Sequence, residues 1–342
     1  MPLLYKPSSE WRDEHLASSP LPRTLAAMKV TDHLSGATAP MISVEIIPPR
    51  RGGDVRRIYD AVESVTPFRP PFIDITSHAA EARWEQLPDG SWRRRVTRKA
   101  PGTFGLCAAI KHRFGVDPVP HLLCNGFTRE ETEDALIELH YLGIENVLAI
   151  RGDGESREPA GARSTNASAL DLVRQIADMN EGRYLEPLEE ATPTDFCVGV
   201  AAYPEKHVEA PNLEWDIDVL LEKQRAGAGY AVTQLFYDND VYLRFLKAAR
   251  ERGVRITIVP GLKILTRAAQ VRTVPATFGV DVPPALASEV ADAPDDAREI
   301  GIRWAAQQVL GLFEAGVPSV HVYVMQDTRP FVEMIGLLHG SI

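Results

Sequence analysis

The chain has 342 residues, of which 44% are hydrophobic and 25% are charged. These proportions are typical of a globular protein and exclude collagen-like, coiled-coil and intrinsically disordered chains. The formal net charge of −10 argues against nucleic acid or an anionic membrane as the main partner. Cys107, Cys124 and Cys197 lie in apolar runs without a CxxC spacing, so we expect reduced thiols in the core of a cytoplasmic protein.

The N-terminal sequence lacks the apolar segment of a signal peptide. The longest apolar stretch runs from Phe196 to Pro204, whereas a membrane helix requires about 20 residues. We therefore expect a protein that is neither exported nor inserted in a membrane.

Eight short apolar runs rich in β-branched residues recur along the chain, and helical patterns follow them. Such runs are typical of parallel strands that are covered on both faces. Thr128 and Glu131 form a capping box that predicts the start of one helix, and Gly143 ends it. Two further helices are predicted within 213–229 and 241–253, and they end at Gly227 and Gly253. The alternation predicts an α/β fold, a (β/α)8 TIM barrel of about 250 residues. The predicted strands are 43–47, 72–76, 120–124, 147–150, 197–201, 231–236, 256–260 and 320–324.

The remaining residues are additions to this repeat. Residues 1–40 are interpreted as an N-terminal arm, and residues 41–342 as the barrel with its insertions. Within 80–104, a turn signal at 88–90 separates two strand-like segments, which predicts a β-hairpin over the barrel mouth after the second strand. The basic run at 92–99 is most simply a solvated arm of that hairpin.

Glu45 is a carboxylate within the first predicted strand. Alternation places Ser43, Glu45 and Ile47 on one face, which we expect to point into the barrel. An ionised carboxylate is costly there, so burial should raise the pKa of Glu45 and favour the neutral acid. Glu45 is therefore a candidate general acid. A structural glutamate paired with a buried Arg or Lys is the alternative.

Polar residues also follow the fourth and fifth strands, where a barrel places its active site. Asp153 in the segment IRGD could stabilise a developing cation, and Gly152 would let the backbone approach a flat ligand. Tyr203 and His207 suit a large ligand with a flat ring and phosphates. A solvated turn and an aromatic plug are the structural alternatives.

Two more polar residues lie within predicted strands. Gln234, in the sixth strand, can present a donor and an acceptor to the edge of a heterocycle. A core amide bonded to backbone is the alternative. His121, in the third strand, is interpreted from its position alone as a core histidine.

Together these segments resemble the methylenetetrahydrofolate reductase family. SVEIIPPR (43–50) resembles the family's opening strand with its catalytic Glu, and IRGD (150–153) resembles its LRGD. AAYPEKHVEA (201–210) and VTQLFYD (232–238) resemble two further family segments. The likeness extends from about residue 42 to residue 338, with the motifs in order.

The resemblance implies a barrel that binds FAD at the C-terminal ends of its strands. NADH or NADPH reduces the flavin, and 5,10-methylenetetrahydrofolate then takes the hydride to give 5-methyltetrahydrofolate, in the one-carbon metabolism that supplies methionine. By this resemblance Glu45 is the general acid that opens the imidazolidine ring, and Asp153 stabilises the resulting cation. The residues implied to contact folate are Glu45, Asp153, Gln234 and Tyr323. Those implied for FAD are Thr76, His121, Ile150, Arg151, Gly152, Asp153, Ala169, Tyr203, His207, Ala210, Asp216 and Lys223.

The resemblance implies no metal, and we expect small-molecule substrates and a homo-oligomer, with no nucleic acid or membrane as partner. Three positions depart from the family pattern. Ser77 replaces an aromatic, Ala268 stands where many relatives have an aromatic that stacks on the substrates, and Asp327 occupies the position of a substrate-contacting Arg, with Arg329 two residues on. Eukaryotic relatives add a C-terminal domain that binds adenosylmethionine, and we expect that control to be absent here.

Two other functions would fit the same barrel. Lys263, after the seventh strand, could be the nucleophile of a Schiff-base aldolase. The chain could also be a non-catalytic barrel subunit of an electron-transfer complex. A flavin-dependent barrel that acts on proline is a nearer neighbour of the reductase.

Overall fold

The computed structural model describes residues 28–77, 81–97, 102–152 and 164–339. Parallel strands alternate with helices through these ranges, and one antiparallel pair is inserted. In chain order the strands are β1 (Met41–Ile46), β2 (Phe72–Ile75), β3 (Glu81–Gln86), β4 (Trp92–Thr97), β5 (Asp117–Leu123), β6 (Asn146–Ile150), β7 (Cys197–Ala202), β8 (Tyr230–Thr233), β9 (Thr257–Val259), β10 (Gly261–Leu262) and β11 (Ser319–Met325). The helices are α1 (Val30–Ser35), α2 (Arg56–Val65), α3 (Thr103–Phe114), α4 (Arg129–Tyr141), α5 (Ala169–Asn180), α6 (Leu213–Arg225), α7 (Asn239–Arg252), α8 (Gln270–Phe278), α9 (Pro284–Asp292), α10 (Ala297–Glu314) and α11 (Arg329–His339).

The parallel strands close into a barrel. The sheet order is β10, β11, β1, β2, β5, β6, β7, β8, β9. Strands β9 and β10 flank Pro260 and act as one interrupted strand, because β9 pairs with β8 whereas β10 pairs with β11. Proline has no N–H to donate, but the Pro260 carbonyl accepts a hydrogen bond from the His321 N–H at 2.8 Å. The eight-stranded TIM barrel predicted from the sequence is thereby confirmed.

The strand bounds differ from the prediction by a few residues. The sixth barrel strand was expected to span 231–236, but β8 ends at Thr233. Gln234 therefore lies just after the strand rather than within it, although its N–H still bonds the Ala202 carbonyl of the neighbouring strand at 2.8 Å. The capping box is confirmed, since Thr128 and Glu131 each bond the other's backbone N–H at the start of α4.

Helix α1 covers the N-terminal end of the barrel. The Val30 N–H donates to the side chain of Asn146, the first residue of β6, at 2.8 Å, and His33 lies 2.9 Å from Asp117, the first residue of β5. Val30 is fully buried beside Phe72 in a cluster inside the barrel. The N-terminal end is therefore closed by part of the predicted arm, and residues 1–27 of that arm lie outside the described residues. The division into an arm and a barrel at residue 40 stays a prediction.

The inserted antiparallel pair is the hairpin predicted after the second strand. Strands β3 and β4 pair in register from Glu81 with Thr97 to Gln86 with Trp92. The side chains from Trp92 to Arg95 are exposed, as expected for a solvated basic arm.

The three cysteines are buried and free, as predicted. Within the described ranges, no helix has both the length and the apolar character that crossing a membrane requires.

Gly261 lets two neighbouring groups approach the interrupted strand closely. A Cβ atom at this position would lie 2.2 Å from the Thr233 carbonyl oxygen and 2.6 Å from the Tyr323 hydroxyl. These two groups form a hydrogen bond of 2.5 Å across the barrel interior, with the hydroxyl donating. Only glycine fits beside that bond.

Replacing Gly261 with Ala should therefore lower the free energy of unfolding by about 2 kcal/mol or more, because the methyl group meets fixed backbone. Urea denaturation followed by circular dichroism would measure the change.

Gly105→Ala is the matched control for this substitution. A Cβ there would meet no atom within 4 Å, and alanine favours the helix α3. The control should therefore be as stable as the wild type or more stable. An unchanged stability of Gly261→Ala would contradict the packing described here.

Candidate active site

The open end of the barrel contains a cluster of buried polar side chains. Strand alternation points Glu45 of β1, Asp74 of β2 and His121 of β5 toward the interior, while neighbours such as Val44 and Ile73 pack outward against the helices. Glu45 and Asp74 are directly paired in the register of adjacent strands. The β sheet therefore brings two carboxyl groups and an imidazole together.

Glu45 lies inside the barrel, with 8% of the residue exposed. Burial is the main cause that raises the pKa of Glu45 from its ordinary value of 4.5 to about 7. The charge of His121 lowers this pKa, the charge of Asp74 raises it, and the charge of Lys263 lowers it. The nearest charged partner is His121, whose Nε2 is 3.6 Å from Glu45 Oε2. Among the described residues no Arg or Lys lies within ion-pair distance of Glu45. This arrangement favours a proton donor over a structural ion pair.

His121 lies between the two carboxyl groups. Its Nε2 is 3.4 Å from Asp74 Oδ2, close to the distance that separates it from Glu45. Burial opposes the charged imidazole, but its hydrogen bond to Asp74 and the charges of both carboxyl groups outweigh burial and raise the pKa of His121. His121 was interpreted from the sequence alone as a core histidine, and it is indeed buried, but within this charged cluster.

Strand β11 is the neighbour of β1 on the side away from β2 and contributes further buried polar side chains. Ser43 and His321 Nδ1 are 2.8 Å apart, and burial lowers the pKa of His321. The Tyr323 ring packs edge-on against His321, with centroids 5.2 Å apart. Since the Tyr323 hydroxyl donates to the Thr233 carbonyl, its ring is held in one position beside the Glu45 strand.

The residues predicted for a cofactor lie along one continuous arc of the barrel rim. Most of them come from the ends of β2, β5, β6 and β7, which are neighbours in the sheet. Ala169 and Asp216 belong to the first turns of α5 and α6, and Lys223 belongs to the last turn of α6. The described members of this set are Thr76, His121, Ile150, Arg151, Gly152, Ala169, Tyr203, His207, Ala210, Asp216 and Lys223. Asp153 lies outside the described residues, so its predicted role stays a prediction.

At the end of β6, Arg151 pairs with Glu209 of the next loop through two hydrogen bonds of 2.6 and 2.9 Å. Gly152 has φ +87°, a conformation that favours glycine. Its carbonyl accepts a hydrogen bond from the Asn125 side chain at 3.1 Å. These bonds fix the backbone of the IRGD segment beside the rim.

The loop after β7 is held by bonds within itself and to α6. The His207 N–H donates to Asp216 Oδ2 at 2.5 Å, and the Tyr203 and His207 rings meet edge-on at 4.7 Å. Lys206, with φ +79°, donates through Nζ to the Ala210 carbonyl at 2.8 Å. The loop therefore presents an aromatic face and a histidine ring on a fixed backbone.

Lys223 is a buried cation beneath this loop, with 7% of the residue exposed. Its Nζ donates to the Ala201 carbonyl at 3.2 Å. Burial lowers the pKa of Lys223 to about 8, and the charge of Asp216 opposes that shift. Among the described residues no carboxylate lies within ion-pair distance of Lys223. An anionic group at the rim would therefore stabilise this ammonium.

All three departures from the family pattern have structural partners, and Ser77 donates to Thr103 Oγ1 at 3.1 Å. Asp327 accepts hydrogen bonds from the Arg329 guanidinium at 2.8 and 2.7 Å, so these two charges compensate each other. Ala268 packs against an apolar cluster that includes Leu235 and Leu265.

Sequence reasoning missed Asp74 as a member of the site. The signal was present, since Asp74 is a carboxylate within the apolar strand FIDIT, as Glu45 is within SVEII. Lys263 was considered only as an aldolase nucleophile. In the structure burial lowers the pKa of Lys263, and the charge of Glu45 opposes that shift.

The raised pKa of Glu45 predicts a pH-dependent contribution to stability. Below the unfolded pKa of 4.5 both states hold the proton, and between 4.5 and about 7 only the folded state holds it. Stability from this group is therefore lost as the pH rises through that window. Glu45→Gln has no carboxyl group to lose this proton. The free energy of unfolding of the variant minus that of wild type should therefore rise by about 3 kcal/mol between pH 4.5 and about pH 8.

Urea denaturation at both pH values would measure this difference. Glu63→Gln, at an exposed position of α2, is the matched control and should differ from wild type equally at both. A pH-independent difference for Glu45→Gln would show that Glu45 is not buried as described.

Comparison with known proteins gives a consistent result. The sequence model of the family described as methylenetetrahydrofolate reductase matches residues 29–337. The 5,10-methylenetetrahydrofolate reductase of Escherichia coli is 27% identical over 287 residues, which cover 83% of this chain and 86% of that protein. Methylenetetrahydrofolate reductase 1 of Schizosaccharomyces pombe is 27% identical over 92% of this chain, which spans only 49% of that longer relative.

Among solved structures, the barrel is similar to an uncharacterized protein from Clostridium thermocellum that binds two copies of 5-methyl-5,6,7,8-tetrahydrofolic acid. The TM-score is 0.54 at 12% identity, and the match covers 91% of this chain and 99% of that one. At this identity the likeness supports the fold alone. The family match over residues 29–337 establishes the relationship that the sequence motifs predicted: the chain belongs to the methylenetetrahydrofolate reductase family.

Proposed function

We propose that this chain reduces 5,10-methylenetetrahydrofolate to 5-methyltetrahydrofolate with electrons from NADH or NADPH, using bound FAD. Membership of the family supports the reaction. The observation that carries the proposal is Glu45, a carboxyl group buried at the open end of the barrel with a pKa of about 7. An acid of that strength is half protonated near neutral pH, as a general acid requires.

The residues along the rim fit the chemistry of FAD. The dinucleotide carries a flat ring and a diphosphate, and the arc offers the aromatic face of Tyr203, the backbone at Gly152 and the buried ammonium of Lys223. Lys223 has only a carbonyl partner among the described residues, so a negatively charged group would complete its surroundings. When bound, FAD accepts a hydride from the nicotinamide and passes it to the folate.

Glu45 would supply the proton that the folate half-reaction needs. Opening the five-membered ring of methylenetetrahydrofolate requires a proton on the departing ring nitrogen, and the ring then opens to an iminium cation that accepts the hydride. Because Glu45 is buried, its neutral form persists to about pH 7, and water is excluded from the step. The proton is lost from Glu45 and regained from solvent after product leaves.

The cation formed by ring opening needs a nearby anion. Asp153 follows directly after Gly152, whose carbonyl position is fixed by Asn125. We assign to Asp153 the stabilisation of that cation, and to Gln234 and Tyr323 contacts with the folate. Gln234 lies just after β8, the neighbour of β7 in the arc, and Tyr323 lies in β11, paired in register with Glu45.

The alternatives are less well supported. Burial lowers the pKa of Lys263, which a Schiff-base aldolase would also need. Family membership favours the reductase, in which Lys263 is a positive charge that lowers the pKa of Glu45. A cytoplasmic location and assembly as a homo-oligomer remain predictions.

Glu45→Gln separates the two half-reactions. The variant should still oxidise NADH or NADPH and bleach the flavin at a rate within about twofold of wild type. Its reduced flavin should be reoxidised by methylenetetrahydrofolate at least about a hundredfold more slowly, because loss of general acid catalysis costs about 10²–10⁴ in rate. Anaerobic stopped-flow absorbance measures both rates.

Glu63→Gln, which removes an exposed carboxylate from α2, should match wild type in both half-reactions. If Glu45→Gln reoxidised its flavin with folate at the wild-type rate, the assignment of Glu45 as the acid would be wrong.

Lys223→Met tests the cofactor site. The substitution keeps the length of the buried side chain but removes its charge, so flavin should dissociate at least about tenfold more readily. Equilibrium dialysis of the purified protein against FAD measures the dissociation constant. Lys247→Met, at an exposed position of α7, is the control. Equal FAD affinity in the two variants would remove Lys223 from the cofactor site.

A further inference from the structure

The proposed acid has a fully buried carboxylate as its neighbour. Asp74 is 0% exposed and is paired in register with Glu45 across β1 and β2. Its Oδ2 lies 3.4 Å from His121 Nε2, and its Oδ1 has no hydrogen-bond partner among the described residues. An ionised carboxylate with one unsatisfied oxygen is costly to bury, and nothing in the mechanism above uses it.

One nitrogen of His121 faces both carboxyl groups. His121 Nε2 lies 3.4 Å from Asp74 and 3.6 Å from Glu45, and a single N–H cannot be directed well at both. Two carboxyl groups this close cannot both ionise without strong repulsion. The favourable arrangement places one negative charge and one positive charge in the cluster and leaves the other carboxyl group neutral.

Asp74 is better suited than Glu45 to carry the negative charge. It is the nearer of the two to His121, at 3.4 Å against 3.6 Å, and it is the one that forms a hydrogen bond with the imidazole. Glu45 belongs to the strand beside Tyr323 and retains 8% exposure toward the mouth. If Asp74 were neutral, Glu45 would become the counterion of the imidazolium and lose its proton.

The other titratable groups around Glu45 and Asp74 do not take over this role. Lys263, after β10, lowers the pKa of Glu45 but lies beyond ion-pair distance. Tyr323 of β11 donates its proton to the Thr233 carbonyl. His321, also in β11, is bonded to Ser43, and burial lowers its pKa. Tyr230 of β8 is buried, and burial raises its pKa well above the usual value.

We propose that Asp74 is a positioning residue for proton donation: it holds His121 as its ion-pair partner, so that Glu45 keeps the proton it delivers to substrate. The catalytic meaning of this inference rests on the proposed function. The pairing itself does not, because it concerns which carboxyl group is ionised in the protein before any substrate binds.

The test is the protonation state of Glu45 in Asp74→Asn. Infrared difference spectra of the purified protein, recorded during a pH titration, report the C=O stretch of a protonated carboxyl group, and the band missing in Glu45→Gln is that of Glu45. In wild type the band should titrate near pH 7. In Asp74→Asn its midpoint should fall by about one pH unit, a tenfold loss of proton affinity.

A double-substitution cycle shows whether the effect passes through His121. In His121→Gln the imidazolium is absent, so the Glu45 midpoint should rise above that of wild type. In the His121→Gln background, Asp74→Asn removes only the direct repulsion between Asp74 and Glu45. It should therefore lower the Glu45 midpoint by less than the same substitution does in wild type, where His121 is present. Asp134→Asn, exposed on α4, is the control and should leave the midpoint unchanged.

An unchanged or raised midpoint in Asp74→Asn would overturn the proposal, as would equal effects with and without His121. If Asp74→Asn does not fold, the single substitution His121→Gln still decides, because a midpoint that fails to rise shows that His121 is not the cation beside Glu45. Retention of folate reduction by Glu45→Gln would defeat the proposed function, and it would leave the infrared result standing.

Discussion

The cost of placing charge inside the barrel governs this site. A carboxyl group that is removed from water holds its proton more tightly, and for Glu45 this brings the pKa to about 7. The same cost favours a partner for a buried charge, as in the pairing of Asp74 with His121. Acid strength at Glu45 is therefore a property of the whole cluster rather than of one side chain.

The barrel supplies this environment through its topology. Parallel strands bring residues from distant parts of the sequence to the same height, as with Glu45 and Asp74 across β1 and β2. Close packing between β8, β10 and β11 depends on Gly261, because only glycine leaves space for the hydrogen bond from the Tyr323 hydroxyl to the Thr233 carbonyl. The residues predicted for a cofactor follow β2, β5, β6 and β7, whereas Gln234 and Tyr323 belong to β8 and β11 on the remaining part of the rim.

Much of this organisation could be predicted from the sequence. Alternation within β1 was enough to place Glu45 inside the barrel, and the apolar runs predicted every barrel strand. The division of the seventh strand at Pro260 and the sealing role of α1 could not be predicted, because both depend on partners far away in sequence, such as His321 and Asn146. Asp74 could have been found by the alternation that identified Glu45, but its ion pair with His121 required the three-dimensional register.

The seal at the N-terminal end has a further consequence. Helix α1 is tied to the first residues of β5 and β6, and Val30 fills the space behind them. Water that approaches the cluster from this end would have to pass α1 and the side chain of Val30. A flat ligand over the mouth would cover the other end of the barrel, so that the proton on Glu45 would be shielded from bulk water until that ligand departs.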